Sequence, residues 1–207
     1  MKYPASGKVK TRLGAEIGDA GAAKVYQLFI ELTLNTVQKA GCHRAYVAYE
    51  PEERYEDFRK LVGPGFELFP QQGGDLGERM WNAIAHVSRM GSPKIIVYGS
   101  DSPTLPAQFI EEAIDGLETC DLVLGPANDG GYYLVGVKKA VKEIFEGIPW
   151  SSSSVLQSTL ERARDASLSV HLLPEWYDVD QLDALKQAAR DDATGLLRNF
   201  LEENNLS

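Results

Sequence analysis

The stretch Lys94-Ile95-Ile96-Val97-Tyr98-Gly99-Ser100-Asp101-Ser102-Pro103 decides the fold class. Its first five residues are nearly continuous in apolar character, the pattern of a strand buried on both faces of a parallel sheet. Pro103 prevents the strand from continuing, so Asp101 stands at a strand end. A carboxylate there can hold Mg²⁺ or Mn²⁺, because Mg²⁺ takes one or two protein carboxylates and completes its shell with phosphate oxygens and water. Asp101 equally suits an Asx-turn, or a cap for a helix starting near Pro106.

Outward from this stretch, strand-like and helix-period segments alternate. Val25, Leu28, Phe29 and Leu32 fall at i, i+3, i+4 and i+7, which predicts an amphipathic helix after Gly21. Ala45–Tyr49 reads as a strand, Tyr55–Leu61 as a helix ended by Gly63-Pro64-Gly65, and Phe66–Phe69 as a second strand. A helix is predicted from Asp75, with Glu78 completing a capping box and Met80, Ile84 and Val87 along one face. Beyond the opening stretch come helix Pro106–Leu117, strands Leu122–Leu124 and Tyr132–Val137, and helix Val155–Ala163. Strand Leu168–Leu173 and a mostly helical tail, Leu182–Leu201, complete the order. Such alternation implies an α/β fold with a mainly parallel sheet and helices on both faces, here one domain spanning 1–207. Ligands bind such sheets at the carboxyl ends of the strands, which directs attention to the loops there.

Composition sets the bounds. Hydrophobic residues at 43% and charged residues at 25% match a globular chain rather than a disordered one. A net charge of −9 argues against a nucleic-acid partner, which calls for a broad basic surface, yet leaves a small anionic ligand open. Cys42 and Cys120 lie far apart in no metal-type spacing and read as a reduced pair. Met1–Lys8 has no apolar signal core and no later run reaches membrane-spanning length, so the expected location is the cytoplasm.

Four further loops carry unusual residues. Gly7-Lys8-Val9-Lys10-Thr11-Arg12-Leu13 is a basic segment in an acidic chain, suited to gripping a pyrophosphate or simply a solvated turn. Gly73-Gly74-Asp75-Leu76-Gly77-Glu78-Arg79 could offer backbone N–H groups and a guanidinium to an anion, or be a capped helix start alone. Asn128-Asp129-Gly130-Gly131 between apolar runs is a good hairpin turn, and its paired glycines could also admit a ligand. In Asp178-Val179-Asp180, either aspartate could give a metal its second carboxylate, and Asp180 could instead be a helix N-cap. His43, His86 and His171 are isolated, and Ser151–Ser154 reads as helix capping rather than a nucleophile elbow.

In order, Lys2-Tyr3-Pro4, Gly7–Leu13, Gly74–Met80, Gly99–Pro106, Gly125-Pro126-Ala127, Asp129–Leu134 and Asp178-Val179-Asp180 resemble one family. It is that of small bacterial glycosyltransferase-A-type proteins, the nucleotide-diphospho-sugar or radical-SAM/selenodomain-associated transferases. The resemblance runs from Lys2 to about Leu185. It implies a three-layer, Rossmann-like nucleotide-diphospho-sugar transferase fold. By the same likeness Lys10 and Arg12 contact phosphates, with Gly7 and Lys8 beside them. Gly74, Asp75, Gly77 and Arg79, with Gly130 and Gly131, bind the nucleotide, and Asp101 and Asp180 hold Mg²⁺ or Mn²⁺. The family's first, central strand precedes Lys-Tyr-Pro and has no counterpart ahead of Met1-Lys2-Tyr3-Pro4. The expected activity is metal-dependent transfer of a sugar from a sugar nucleotide to a small-molecule acceptor. The Lys-Thr-Arg-Leu run is also similar to guanylyltransferases that activate small phosphorylated acids, so nucleotidyl transfer is the alternative, with a non-catalytic nucleotide-binding protein as a third reading.

Overall fold

The computed structural model describes residues 1–206. In chain order the helices are α1 (Thr11–Ile17), α2 (Asp19–Lys39), α3 (Tyr55–Val62), α4 (Leu76–Arg89), α5 (Ala107–Thr119), α6 (Val155–Asp165), α7 (Leu182–Asp191) and α8 (Leu196–Glu203). The strands are β1 (Tyr46–Tyr49), β2 (Glu67–Pro70), β3 (Ile95–Tyr98), β4 (Leu122–Pro126), β5 (Tyr132–Val137) and β6 (Val170–Leu172). These elements form two compact units. One comprises Met1–Pro70, Ser100–Leu105 and the chain from Asp178 on; the other comprises Gln71–Gly99 and Pro106–Tyr177.

In the first unit α2 buries Ala22, Val25, Tyr26, Phe29, Ile30 and Leu32, a helical stripe that contains three of the four predicted positions. The fourth, Leu28, is half-buried. The helix begins at Asp19 rather than after Gly21, with the Asp19 carboxylate in its first turn, where the helix dipole favours an anion. Strands β1 and β2 pair in parallel, Tyr46 opposite Glu67 through Tyr49 opposite Pro70. Beside β1's end, the Tyr3 N–H donates to the Glu50 carbonyl and the Glu50 N–H to the Met1 carbonyl, each at 2.9 Å. The mostly helical tail is two helices, α7 and α8. Asp192, 4% exposed, accepts from the Thr194 and Leu197 N–H groups and the Thr194 hydroxyl, breaking the chain after α7 and capping α8.

The second unit holds a four-stranded sheet in the order β3-β5-β4-β6. β4 and β6 are parallel, whereas β5 is antiparallel to both β3 and β4, so three strands run one way and β5 alone opposes them. The mainly parallel expectation therefore holds in strand direction. The expectation for β3 does not. It stands at the end of the strand order, and only Ile95 is buried while Ile96, Val97 and Tyr98 are half-buried. The apolar run covered on both sides is β4 with β5, where Leu122, Val123, Leu124, Leu134 and Val135 are at most 1% exposed. Each such side chain contributes roughly 1.5–3 kcal/mol by leaving water. Ile110, Ala113 and Leu117 of α5 share one helical face and are buried. The Gly136 Cα faces Leu117, whose Cδ1 would lie 3.2 Å from an added Cβ.

Candidate functional site

Local structure of the basic segment brings one lysine inward. Lys10 precedes α1 in the left-handed conformation, φ 46° and ψ 47°, which costs a non-glycine residue about 1–2 kcal/mol. Val9 before it is buried and Gly7, at φ 70°, turns the chain. The Lys10 side chain is only 5% exposed. Its ammonium lies 2.6 Å from Asp101 Oδ1 and 2.9 Å from Asp180 Oδ1, with the buried Phe29 ring 5.6 Å below. Arg12, one helical position beyond Thr11, is 78% exposed and reaches to 3.7 Å from Asp180 Oδ2. Four residues named from the sequence, Lys10, Arg12, Asp101 and Asp180, thus converge. Lys8 and Gly7 are exposed on the same turn.

Burial alone would lower the Lys10 pKa; the charges of Asp101 and Asp180 and their hydrogen bonds outweigh it, and the pKa is raised above the ordinary lysine value. The amine is therefore a fixed cation. Its two carboxylate partners remain about half exposed, 52% for Asp101 and 49% for Asp180. Neither aspartate is a helix N-cap. The N-cap of α5 is Pro106 and that of α7 is Gln181. The Leu182 N–H at the start of α7 is met by Glu16 of α1, 3.1 Å away.

Three residues that sequence reasoning passed over hold the Asp101 turn. Ser100 Oγ shares a hydrogen bond of 2.9 Å with the Tyr26 phenol on α2. Ser102 Oγ donates to Asp178 Oδ1 at 2.5 Å. The Val179 N–H donates to the Asp101 carbonyl at 2.8 Å. Asp178 and Asp180 accordingly take different partners, Ser102 and Lys10, with Val179 fully buried between them. The available signal was the alternation Ser-Asp-Ser: in an extended turn both hydroxyls face opposite to the carboxylate. Burial, first, and the charge of Asp101 push the Tyr26 phenol pKa up against the hydrogen bond from Ser100.

The remaining candidates belong to the second unit. Asp75 caps α4, accepting the Glu78 N–H at 2.8 Å, and Glu78 Oε2 in turn accepts the Gly74 N–H at 2.8 Å. The capping box is thus present, and the Gly74 N–H expected to be open to a ligand is taken. Arg79 Nε donates to the Gly73 carbonyl at 3.2 Å. Gly77 lies against the Trp150 ring, 2.6 Å from where a Cβ would stand. The Asp129 turn is the hairpin between β4 and β5, with Asp129 Oδ1 accepting the Gly131 N–H at 2.8 Å. The backbone that approaches Gly130, φ 88°, is that of Ser153, and the Leu156 N–H donates to the Gly130 carbonyl. Ser154, the N-cap of α6, makes no side-chain cap; Ser152 Oγ donates to the Pro149 carbonyl instead. His171 pairs with Glu112 at 3.2 Å, a structural role, and both cysteines are free thiols.

In donor chemistry Asp101 and Asp180 are two hard, half-exposed carboxylates of the kind Mg²⁺ or Mn²⁺ takes, and both are turned toward the Lys10 ammonium. Among the described residues no group of three or more His, Cys, Asp or Glu side chains is placed to hold a metal, and no helix is long and apolar enough to cross a membrane.

The chain is similar to several known proteins. A crystal structure from Desulfovibrio desulfuricans G20, described as a "putative nucleotide-diphospho-sugar transferase", matches with a TM-score of 0.89 and 35% identity, over 99% of this chain and 93% of that one. The 3-phospho-D-glycerate guanylyltransferase of Phenylobacterium zucineum (strain HLK1) is 29% identical over 161 residues, 76% of this chain and 70% of that protein. A CMP:2-keto-3-deoxy-manno-octonic acid synthetase complexed with CTP matches in fold alone, at a TM-score of 0.59 and 14% identity over 95% of this chain and 97% of that one. The α/β architecture is therefore the Rossmann-like one of nucleotide-diphospho-sugar transferases and nucleotidyltransferases, in agreement with the ordered loops of the sequence. Residues 33–152 match the family model described as "Uncharacterized protein conserved in bacteria (DUF2064)", and the chain belongs to that family.

Proposed function

We propose that this transferase-like enzyme moves a nucleoside monophosphate from a nucleoside triphosphate to a small phosphorylated acid. A phosphate oxygen of the acceptor attacks the α-phosphorus, the bond from the α-phosphorus to the bridging oxygen breaks, and pyrophosphate leaves. The observation that carries this reading is Lys10, held in a strained left-handed backbone with its ammonium locked between Asp101 and Asp180. Strain of this kind persists where the surroundings over-determine it, and it clusters at functional sites. Nucleotidyl transfer develops charge on the α-phosphoryl oxygens and on the leaving pyrophosphate. A cation fixed before substrate arrives stabilises that charge with no reorganisation at the moment of reaction. Lys10 is such a cation, while exposed Lys8 on the turn before it and exposed Arg12 in the first turn of α1 supply additional positive charge for a polyanion. A Mg²⁺ or Mn²⁺ ion, held by Asp101 and Asp180, would neutralise phosphate charge when bound. The likeness to the Phenylobacterium zucineum guanylyltransferase supports a guanine donor and a phosphorylated-acid acceptor.

Glycosyl transfer from a sugar nucleotide is the second reading, supported by the likeness to the Desulfovibrio desulfuricans protein. The leaving groups separate the two. Purified protein is incubated with Mg²⁺ or Mn²⁺ and either each nucleoside triphosphate plus 3-phosphoglycerate and related phosphorylated acids, or a panel of sugar nucleotides. Pyrophosphate release that depends on acceptor supports the proposal. Nucleoside diphosphate release from a sugar nucleotide, without pyrophosphate in the other arm, replaces it with glycosyl transfer. Nucleotide binding without either product overturns both.

A further inference from the structure

The Asp101 turn is pinned from beneath. In Ser100-Asp101-Ser102 the two serines are 9% and 1% exposed, whereas Asp101 between them is half exposed and meets Lys10. Serines in such positions are not there for solubility. Ser100 is tied to α2 through the Tyr26 phenol, which also accepts the Lys2 N–H at 3.3 Å. Tyr26 itself is 5% exposed and lies one helical turn from Phe29, the ring beneath the Lys10 ammonium. One face of one rigid helix therefore supports both members of the ion pair: Phe29 under Lys10, and Tyr26 under the residue next to Asp101. A helix holds such groups more tightly than a loop can, and a site misplaced by about 1 Å can lose 10²-fold in rate.

Resting on the reading of Lys10 and Asp101 as reaction machinery, we propose that Tyr26 is a positioning residue, acting through its hydrogen bond to Ser100 to set Asp101 against Lys10. It touches no substrate in this role. Loss of the phenolic oxygen leaves the Tyr26 ring in the core but releases Ser100, so Asp101 samples positions that no longer meet the ammonium.

The test compares Tyr26→Phe, Ser100→Ala, their double variant, Ser100→Thr and Thr36→Val. Thr36 is the control: its hydroxyl donates to the Leu105 carbonyl at the far end of the same segment, 3.4 Å away. Tyr26→Phe and Ser100→Ala are each expected to lower kcat about 5- to 20-fold while nucleotide KM changes less than about 3-fold. The double variant falls no further than the worse single one, as two ends of one bond require. Ser100→Thr restores kcat relative to Ser100→Ala, and Thr36→Val keeps it. Wild-type kcat in Tyr26→Phe, or a loss shared equally by Thr36→Val, overturns the assignment.

A second readout needs no turnover. The ¹⁵N signal of the Lys10 ammonium, identified by its disappearance in Lys10→Met, is expected to move in Tyr26→Phe in the direction it moves in Asp101→Asn. An unmoved signal overturns the positioning role whether or not the protein catalyses nucleotidyl transfer. A moved signal in a protein that releases neither product upholds the positioning role and refutes the functional reading alone.

Discussion

Replacing Lys10 with Met removes one charge and keeps most of the buried stem, so it isolates the electrostatics of the cluster. Asp101 Oδ1 and Asp180 Oδ1 are 2.6 Å and 2.9 Å from the ammonium. Without it, the two carboxylate oxygens face each other no farther apart than the two contacts laid end to end, about 5.5 Å. Their repulsion is about 3 kcal/mol at an effective dielectric of 20 and under 1 kcal/mol in bulk water. Both aspartates are about half exposed, which places the repulsion near 1 kcal/mol after screening. Loss of two charge-assisted contacts adds about another 1 kcal/mol net, because the variant is also spared the desolvation of an ammonium. The expected destabilisation is about 2 kcal/mol, a Tm lower by roughly 4–8 °C in a chain of this size. The Lys10 pKa is raised in the folded state, so its contribution is fully present below the ordinary lysine value of 10.5 and is lost as pH rises through the folded value. The difference between wild type and Lys10→Met should hold steady from neutral pH to about 10 and close only above that. Urea melts of wild type, Lys10→Met, Asp101→Asn and the double variant measure the coupling. The double variant should recover about 1 kcal/mol relative to the sum of the singles, since it also removes one of the repelling charges. A Lys10→Met protein melting within a degree of wild type, or a difference that vanishes by pH 9, refutes the idea that the carboxylates hold the lysine.

Gly130→Ala should lower stability by about 2–4 kcal/mol in thermal melts, because a Cβ at φ 88° would overlap the Ser153 carbonyl. Gly91→Ala, at φ 82° with nothing within 4 Å of the added Cβ, should cost only about 1 kcal/mol. Equal losses at the two positions would remove the packing argument and leave backbone strain alone. Asp192→Ala should cost about 2–3 kcal/mol by urea denaturation, since three donors lose one buried acceptor. A loss below about 0.5 kcal/mol would mean that water reaches those groups. Burial first of all pushes the Tyr132 and Tyr133 phenols far above their ordinary value of 10.0, so stability falls as pH rises past 10 and the unfolded chain ionises them. Their phenolate absorbance should appear only together with the loss of near-UV ellipticity; nine tyrosines titrating as one group in a native spectrum contradict this.

The elements legible in the sequence are those decided by local chemistry. The Asp75–Glu78 box needs only a three-residue spacing, and it sets the start of α4 to the residue. The stripe of α2 and the Gly63 stop of α3 likewise follow from contacts within one or two turns. What the pattern could not carry is the partner of each strand. Ile95–Tyr98 and Tyr132–Val137 are both nearly continuous in apolar residues, yet β3 stands at the end of the sheet and β5 is paired on both sides. Pairing is settled between residues some forty positions apart, and the direction of β5 follows from the tight Asp129–Gly131 hairpin that returns the chain beside β4. The hairpin was readable; that it would reverse one strand of an otherwise parallel set required knowing its neighbours.

The site divides along the same line. The family resemblance, rather than residue type alone, named Asp101, Asp180, Lys10 and Arg12 as one set, and a basic segment in a sequence suggests cations turned toward solvent. Lys10 is the exception because Val9 beside it is buried and the left-handed turn at Lys10 throws its side chain inward while Arg12 stays out. A lysine can be brought inside only where charge awaits it, since burial by itself disfavours the ammonium. Asp101 and Asp180 supply that charge, and they can do so only because Ser100, Ser102 and Val179 fix the two turns they stand on. The small residues flanking each aspartate therefore matter as much as the aspartates. Ser100→Ala and Ser102→Ala leave every charge of the cluster in place, and a measurable loss of the Lys10–Asp101 coupling in either would show that geometry, rather than charge count, holds the lysine.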